Sequence, residues 1–119
     1  MAGMTLRQMQ EDVDRYISQY QEGYFHPMTL VVRLAEELGE LAREVNHRFG
    51  QKPKKPGEAD GSVALELGDI LFVVTCLANS LQIDLEEVHR AVMEKFRTRD
   101  KDRWTPVDRG TAESEGMAQ

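Results

Sequence analysis

Apolar residues recur along the chain at helical spacing, and no stretch alternates as a half-buried strand would. Four segments carry the pattern. The first begins near Thr5, whose spacing to Gln8 is that of a capping box, and places Leu6, Met9, Val13, Ile17 and Tyr20 on one face before Gly23. The second follows His26-Pro27, proline being tolerated in a first helical turn, and runs through Leu30, Leu34, Leu38, Leu41 and Val45 to Gly50. Gln51 to Gly57 then holds two prolines, which remove backbone donors and restrict their neighbours, so the helix cannot continue. The third segment starts near Asp60 or Ser62 and extends to about Leu81; from Ile70 to Ala78 it is apolar on nearly every side. The fourth starts at Asp84, with Glu87 three residues on as a second capping box, and carries Leu85, Val88, Val92 and Phe96 on one stripe until it frays near Trp104-Thr105-Pro106. The pattern therefore predicts an all-α, four-helix, bundle-like domain over residues 5–104. Residues 1–4 read as a flexible N-terminus, and residues 105–119, polar and without periodicity, as a disordered tail.

Composition sharpens this picture. At 119 residues the chain suits a single domain. A helix apolar all round is normally buried all round, and so small a domain has too little of its own surface to cover one, so a second copy is expected against the third helix. The net charge of -6 argues against a nucleic-acid polymer as partner, because phosphate backbones are held by clustered Lys and Arg. An anionic small molecule would need a bridging cation. One cysteine, Cys76, excludes an intrachain disulfide and fits a reducing compartment, so the cytoplasm is expected. Met1 to Val13 lacks the apolar core of a signal peptide, and the run Ile70 to Ala78 is shorter than the ~20 residues of a membrane span, so no membrane role is expected.

The chemistry lies in the acids. The second helix contains Glu36-Glu37-Leu38-Gly39-Glu40 and the third Glu66-Leu67-Gly68-Asp69, each with an acid pair at i, i+3. That spacing puts two side chains on one face with Cβ atoms ~5–6 Å apart. Glu37, Glu40 and Glu44 flank the apolar stripe, whereas Glu36 points nearly away from it, which favours Glu37 as a ligand. Glu66 and Asp69 share a face with Val73 and Cys76. Like charges in a partly desolvated site repel and would otherwise take up protons, so a divalent cation is the expected occupant. Oxygen-only ligation selects hard ions, Mg²⁺ first and Mn²⁺ second.

These residues resemble a family, the all-α nucleoside triphosphate pyrophosphohydrolases of the MazG-like group, related to dimeric dUTPases and dCTP pyrophosphatases. The family pattern is Glu-x-x-Glu, a variable spacer and Glu-x-x-Asp; here Glu37-Leu38-Gly39-Glu40 and Glu66-Leu67-Gly68-Asp69 are followed by Ile70-Leu71-Phe72-Val73-Val74. The resemblance covers about residues 5 to 104. It implies that Glu37, Glu40, Glu66 and Asp69 hold Mg²⁺, that Glu37 or Glu40 orients the attacking water, and that a nucleoside triphosphate, a dNTP or a non-canonical NTP, is cut to the monophosphate and pyrophosphate. It also implies a homodimer or homotetramer, and phosphate contacts from Lys95, Arg99 and Arg103 near the end of the last helix. Tyr16, Tyr20, Tyr24, Phe25 and Trp104 are candidates for base stacking, the Lys52, Lys54 and Lys55 loop for closing over phosphates, and Asn79 for touching sugar or base, although helical geometry sets Asn79 off the acid face.

Two other readings remain open on the residues alone. Glu44-x-x-His47 and Glu86-x-x-His89 have the spacing of a di-iron carboxylate bundle, with Glu66 and Glu11 as the remaining acids, although both pairs fall near helix ends. A helical interaction module without chemistry, its acids merely solvated, is the third.

Overall fold

The computed structural model describes residues 3–50 and 61–108, so the Lys52, Lys54 and Lys55 loop, Asp60 and the last part of the expected tail lie outside the described residues. Four helices are present, α1 (Leu6–Ile17), α2 (Pro27–Phe49), α3 (Val63–Ser80) and α4 (Leu85–Arg99), and no strand occurs among the described residues. The chain divides into two compact units, Met1–Glu86 and Glu87–Gln119.

Local chemistry fixes the helix ends. Thr5 caps α1 in the expected box: its Oγ1 accepts from the Gln8 N–H at 3.1 Å, and its own N–H donates to Gln8 Oε1 at 2.8 Å. The apolar spacing continues to Tyr20, but the helix stops at Ile17. Beyond it the chain closes shorter turns, with the Tyr20 N–H donating to the Ile17 carbonyl and the Gly23 N–H to that of Tyr20. Gly23 completes the reversal at φ 61°, a left-handed conformation that a side chain would disfavour. His26 caps α2 through Nδ1, which accepts from the Met28 N–H at 3.1 Å, and Pro27 occupies the first turn. Ser62 caps α3 by accepting from the Leu65 N–H at 3.1 Å. At α4 the Asp84 carboxylate accepts from the Glu86 N–H at 2.9 Å, while its other oxygen takes the Arg7 guanidinium at 2.8 Å.

In the first unit α2 packs along α3, and α1 packs on α3. Val13, Leu30, Val73 and Cys76 form the buried core, with Ile17, Tyr24, Leu34 and Leu77 packed around it. By length and composition α3 is apolar enough to cross a membrane. Its packing against two amphipathic helices and its acids Glu66 and Asp69 mark it instead as the central helix of this core. Thr75, fully buried on α3, satisfies its hydroxyl by donating to the Leu71 carbonyl at 2.7 Å. Within the first unit, α1 and α2 leave other faces of α3 exposed: Leu65 is 72% exposed and Leu67 53%.

A polar network ties the ends of these elements together. Asn79 on α3 donates to the Gln10 carbonyl at 3.0 Å and to the Tyr24 hydroxyl at 2.9 Å, and accepts from Gln10 Nε2 at 2.9 Å. Gln10 also accepts from the Leu85 N–H at 2.8 Å, and Tyr24 donates to Asp14 at 2.7 Å. Asn79, the candidate for contact with sugar or base, thus has both ends of its amide engaged within the chain. Burial, reinforced by the bond to Asp14, pushes the Tyr24 phenol from 10.0 up to about 12, the Asn79 bond pulling the other way.

Two outcomes follow from the network. Asn79→Ala leaves several part-buried groups without partners and should lower the unfolding free energy by about 1–3 kcal/mol, read from urea denaturation. Because the folded protein holds the Tyr24 proton more tightly than the unfolded chain does, the phenol's stabilising contribution is complete below pH 10 and should be lost between about pH 10 and 12. Ultraviolet titration of phenolate should show this late component in the wild type and lose it in Tyr24→Phe.

Candidate functional site

Packing of α2 along α3 brings Glu37 to Glu66 and Asp69. One carboxylate oxygen from each lies within 4.8 Å of the others. Glu37 and Glu66 are half-buried and Asp69 is exposed, so the cluster opens on one side to solvent. Glu66 Oε2 is buried without a hydrogen-bond partner among the described residues. Burial pushes the Glu66 carboxyl above its ordinary value, and the charges of Asp69, Glu37 and Glu40 push the same way. Helix α3 offsets part of this strain by placing Glu66 in its first turn, where the helix dipole favours negative charge.

Glu40 stands one turn from Glu37 but turns its carboxylate to Arg43, with which it forms an ion pair. A guanidinium at i+3 is the nearest counter-charge for it, so three of the four expected acids converge while the fourth acts on Glu66 through its charge. Glu36 is exposed and outside the cluster, as its angular position on α2 requires. The glycines between the acids leave space: a Cβ at Gly39 or Gly68 would meet nothing within 4 Å.

Next to the acids lies a cavity of about 340 Å³. Along α2 its lining begins with Arg33, one turn before Glu37, and reaches Leu30; along α3 it begins with Phe72 and Val73, one turn after Asp69, and reaches Cys76. Tyr16, Tyr20, Tyr24 and Phe25, contributed by α1 and the turn after it, form the other wall. Tyr16 stands edge-on to Tyr20 at 5.5 Å between ring centroids and to Phe72 at 6.3 Å. Burial pushes the Cys76 thiol up, against a smaller opposite pull from the Arg33 charge, so this cysteine is a neutral part of the lining. Four of the five aromatic candidates thus share one cavity. Phe72, Arg33 and Glu22, which also line it, were not singled out by the sequence. Phe72 was hidden in a uniformly apolar helix; Arg33 could have been noticed as the one charge between Val32 and Leu34 on an otherwise apolar stretch.

The basic candidates belong to the second unit. Helix α4 ends at Arg99, so Arg103 is in the turn beyond it rather than on the helix. The reason is Asp100, which accepts from the Arg99 guanidinium at 3.1 Å, faces Arg103 at 3.8 Å, and whose carbonyl takes the Arg103 N–H. The hydrogen bond and charge of Asp100 raise the Arg99 pKa further. Lys95 and Arg99 lie over the Phe96 ring at 5.3 and 5.4 Å, and Arg103 over that of Trp104 at 5.0 Å. Of the residues of the di-iron reading, Glu66 sits with Glu37 and Asp69, and Glu86 takes Arg7.

Known proteins place the chain in a family. The family model for the MazG nucleotide pyrophosphohydrolase domain matches residues 25–104. The YpjD protein of Bacillus subtilis (strain 168), itself uncharacterised, is 61% identical over 110 residues, which cover 92% of this chain and 99% of that protein. The crystal structure of YpjD from Bacillus subtilis, a candidate pyrophosphatase, superposes with a TM-score of 0.75 at 60% identity, covering 82% of this chain and 100% of that one. That of a Bacillus-conserved MazG protein, a nucleotide pyrophosphohydrolase, gives 0.71 at 54% identity, covering 86% and 99%. With an all-α fold, a carboxylate cluster suited to a divalent ion and a family match over about two thirds of its length, the chain belongs to the MazG nucleotide pyrophosphohydrolase family and is a nucleotide pyrophosphatase.

Proposed function

We propose that the protein hydrolyses a nucleoside triphosphate, a dNTP or a non-canonical NTP, between the α and β phosphates, releasing the monophosphate and pyrophosphate with Mg²⁺ as the resident ion. The observation that carries this reading is the unpartnered, buried Glu66 Oε2 within a set of three converging carboxylates. Such a group needs a cation, and a donor set made only of oxygens suits Mg²⁺, with Mn²⁺ as substitute.

Glu37, Glu66 and Asp69 would hold the ion, with Glu40 completing the set by exchanging Arg43 for it. When bound, Mg²⁺ supplies Lewis-acid neutralisation of phosphate oxygens and makes water more acidic. Glu40 or Glu37 orients the attacking water and receives its proton. The cavity holds the base against Tyr16, Tyr20, Tyr24 and Phe25, which fixes the distance between base and phosphates. Lys95 is the first choice for charge stabilisation of the departing pyrophosphate, since Arg99 and Arg103 would have to leave Asp100. A homodimer or homotetramer, working in the cytoplasm, accounts for the apolar side chains left exposed on α2 and α3, Leu38, Phe49, Leu65 and Leu67.

Pyrophosphate release from a panel of canonical and modified triphosphates should depend on Mg²⁺ and stop in EDTA. Glu40→Gln should lower kcat by about 100-fold or more while the protein stays folded. Full activity in that variant would remove Glu40 from the mechanism, and turnover in EDTA would remove the ion. Mg²⁺ at 100 times its Kd should stabilise the wild type by about 2.7 kcal/mol, visible as a rise in Tm, and should leave the Tm of Glu66→Gln nearly unchanged.

A further inference from the structure

The cavity beside the acids is apolar and aromatic except for two side chains, Arg33 and Glu22. Arg33 is placed four residues before Glu37, the spacing at which a helical ion pair would form, yet it forms none. Its guanidinium instead lies 6.0 Å from the centroid of the Phe25 ring, and its charge is felt by buried Cys76. Arg33 therefore faces the cavity rather than the metal cluster. Arg33 and Glu22 are exposed at the cavity, and among the described residues neither has a salt-bridge partner, so a donor fork and an acceptor stand on the same lining open to a ligand that displaces solvent.

Resting on the proposed placement of the base in this cavity, we infer that Arg33 and Glu22 select an oxopurine, guanine or a close relative, over adenine and the pyrimidines. The chemistry of the edges decides this. A guanidinium is planar, permanently charged and donor-only, and its fork matches the two adjacent acceptors O6 and N7 of guanine. A carboxylate is acceptor-only and matches the N1–H and N2–H donors on the neighbouring edge of the same base. Adenine presents an amino donor where guanine has O6, setting donor against donor at Arg33, and it offers no N1–H to Glu22. Cytosine can offer N3 and O2 to the fork, but its only edge donor is the N4 amino group, so Glu22 does not meet the paired N1–H and N2–H of guanine; thymine has no two adjacent acceptors, its O4 and O2 being separated by N3–H. The aromatic walls stack on any base, so they contribute affinity without selectivity, and the choice falls to the two polar side chains.

The test is kcat/KM for dGTP, dITP, 7-deaza-dGTP, dATP and dCTP with Mg²⁺, in the wild type and in Arg33→Lys, Arg33→Leu, Glu22→Gln and Tyr16→Ala, together with equilibrium binding of dGMP and dAMP. The wild type should favour dGTP over dATP and dCTP by about tenfold or more, the discrimination a bidentate pair supplies. It should lose much of that advantage with 7-deaza-dGTP. Arg33→Leu should flatten the preference, and Arg33→Lys should fail to restore it, because charge is kept and the fork is lost. Glu22→Gln should narrow the gap between dGTP and dITP. A wild type indifferent to the base overturns the inference, and so does a loss in Arg33→Leu that is equal for every substrate, which would assign the guanidinium to phosphates. If instead Tyr16→Ala leaves KM unchanged for all substrates, the cavity is not the base site and the reading beneath the inference fails. Absence of turnover with any triphosphate, alongside tighter binding of dGMP than of dAMP, would overturn the proposed reaction and uphold the base selection.

Discussion

Carboxylates confined within 4.8 Å of one another repel, and that repulsion is the constraint around which the first unit is organised. Two helices must be held side by side firmly enough to keep Glu37 against Glu66 and Asp69. The core that does this is small: Leu30 on α2 meets Val73 and Cys76 on α3, with Val13 of α1 closing the third side. Apolar packing one and two turns away from the acids therefore holds together charges that would otherwise push their helices apart. The same two helices line the cavity, so the core and the aromatic chamber share turns of one helix pair, next to those that carry the acid cluster.

The polar network around Asn79 complements this core at the other end. It joins α1, the turn after α1, the C-terminal part of α3 and the start of α4 through hydrogen bonds of 2.7 to 3.0 Å. Tyr24 belongs to both worlds, since its hydroxyl is fixed by Asn79 and Asp14 while its ring forms part of the chamber wall. A wall anchored in this way needs little reorganisation to receive a flat ligand, which limits the entropy lost on binding.

Much of this was legible before any coordinates. Four helices, the capping box at Thr5, a third helix starting near Asp60 or Ser62, and the placement of Glu37 rather than Glu36 beside α3 all follow from helical periodicity and capping chemistry, which are local. What was not legible depended on side-chain choice or on chain reversal. The turn bonds at Tyr20 and Gly23 ended α1 three residues earlier than its apolar spacing suggested, because that stripe continues across a turn as well as along a helix. Arg43 drew Glu40 aside, and Asp100 gathered Arg99 and Arg103; each is a competition between short-range charges that composition leaves undecided. The tie made by Asn79 was not legible because its Gln10 partner lies about 70 positions away. Glu22 escaped notice because only the fold brings it to the same cavity as Arg33.

Helix α3 carries the acids in its first two turns and the chamber floor in its middle, with no break between them. Each residue of a helix advances the chain by about 1.5 Å and rotates it by roughly 100°. Inserting or deleting one residue between Asp69 and Cys76 would swing one of the two functions off its face. This stretch of α3 therefore accommodates an exchange of side chains more readily than a change of length.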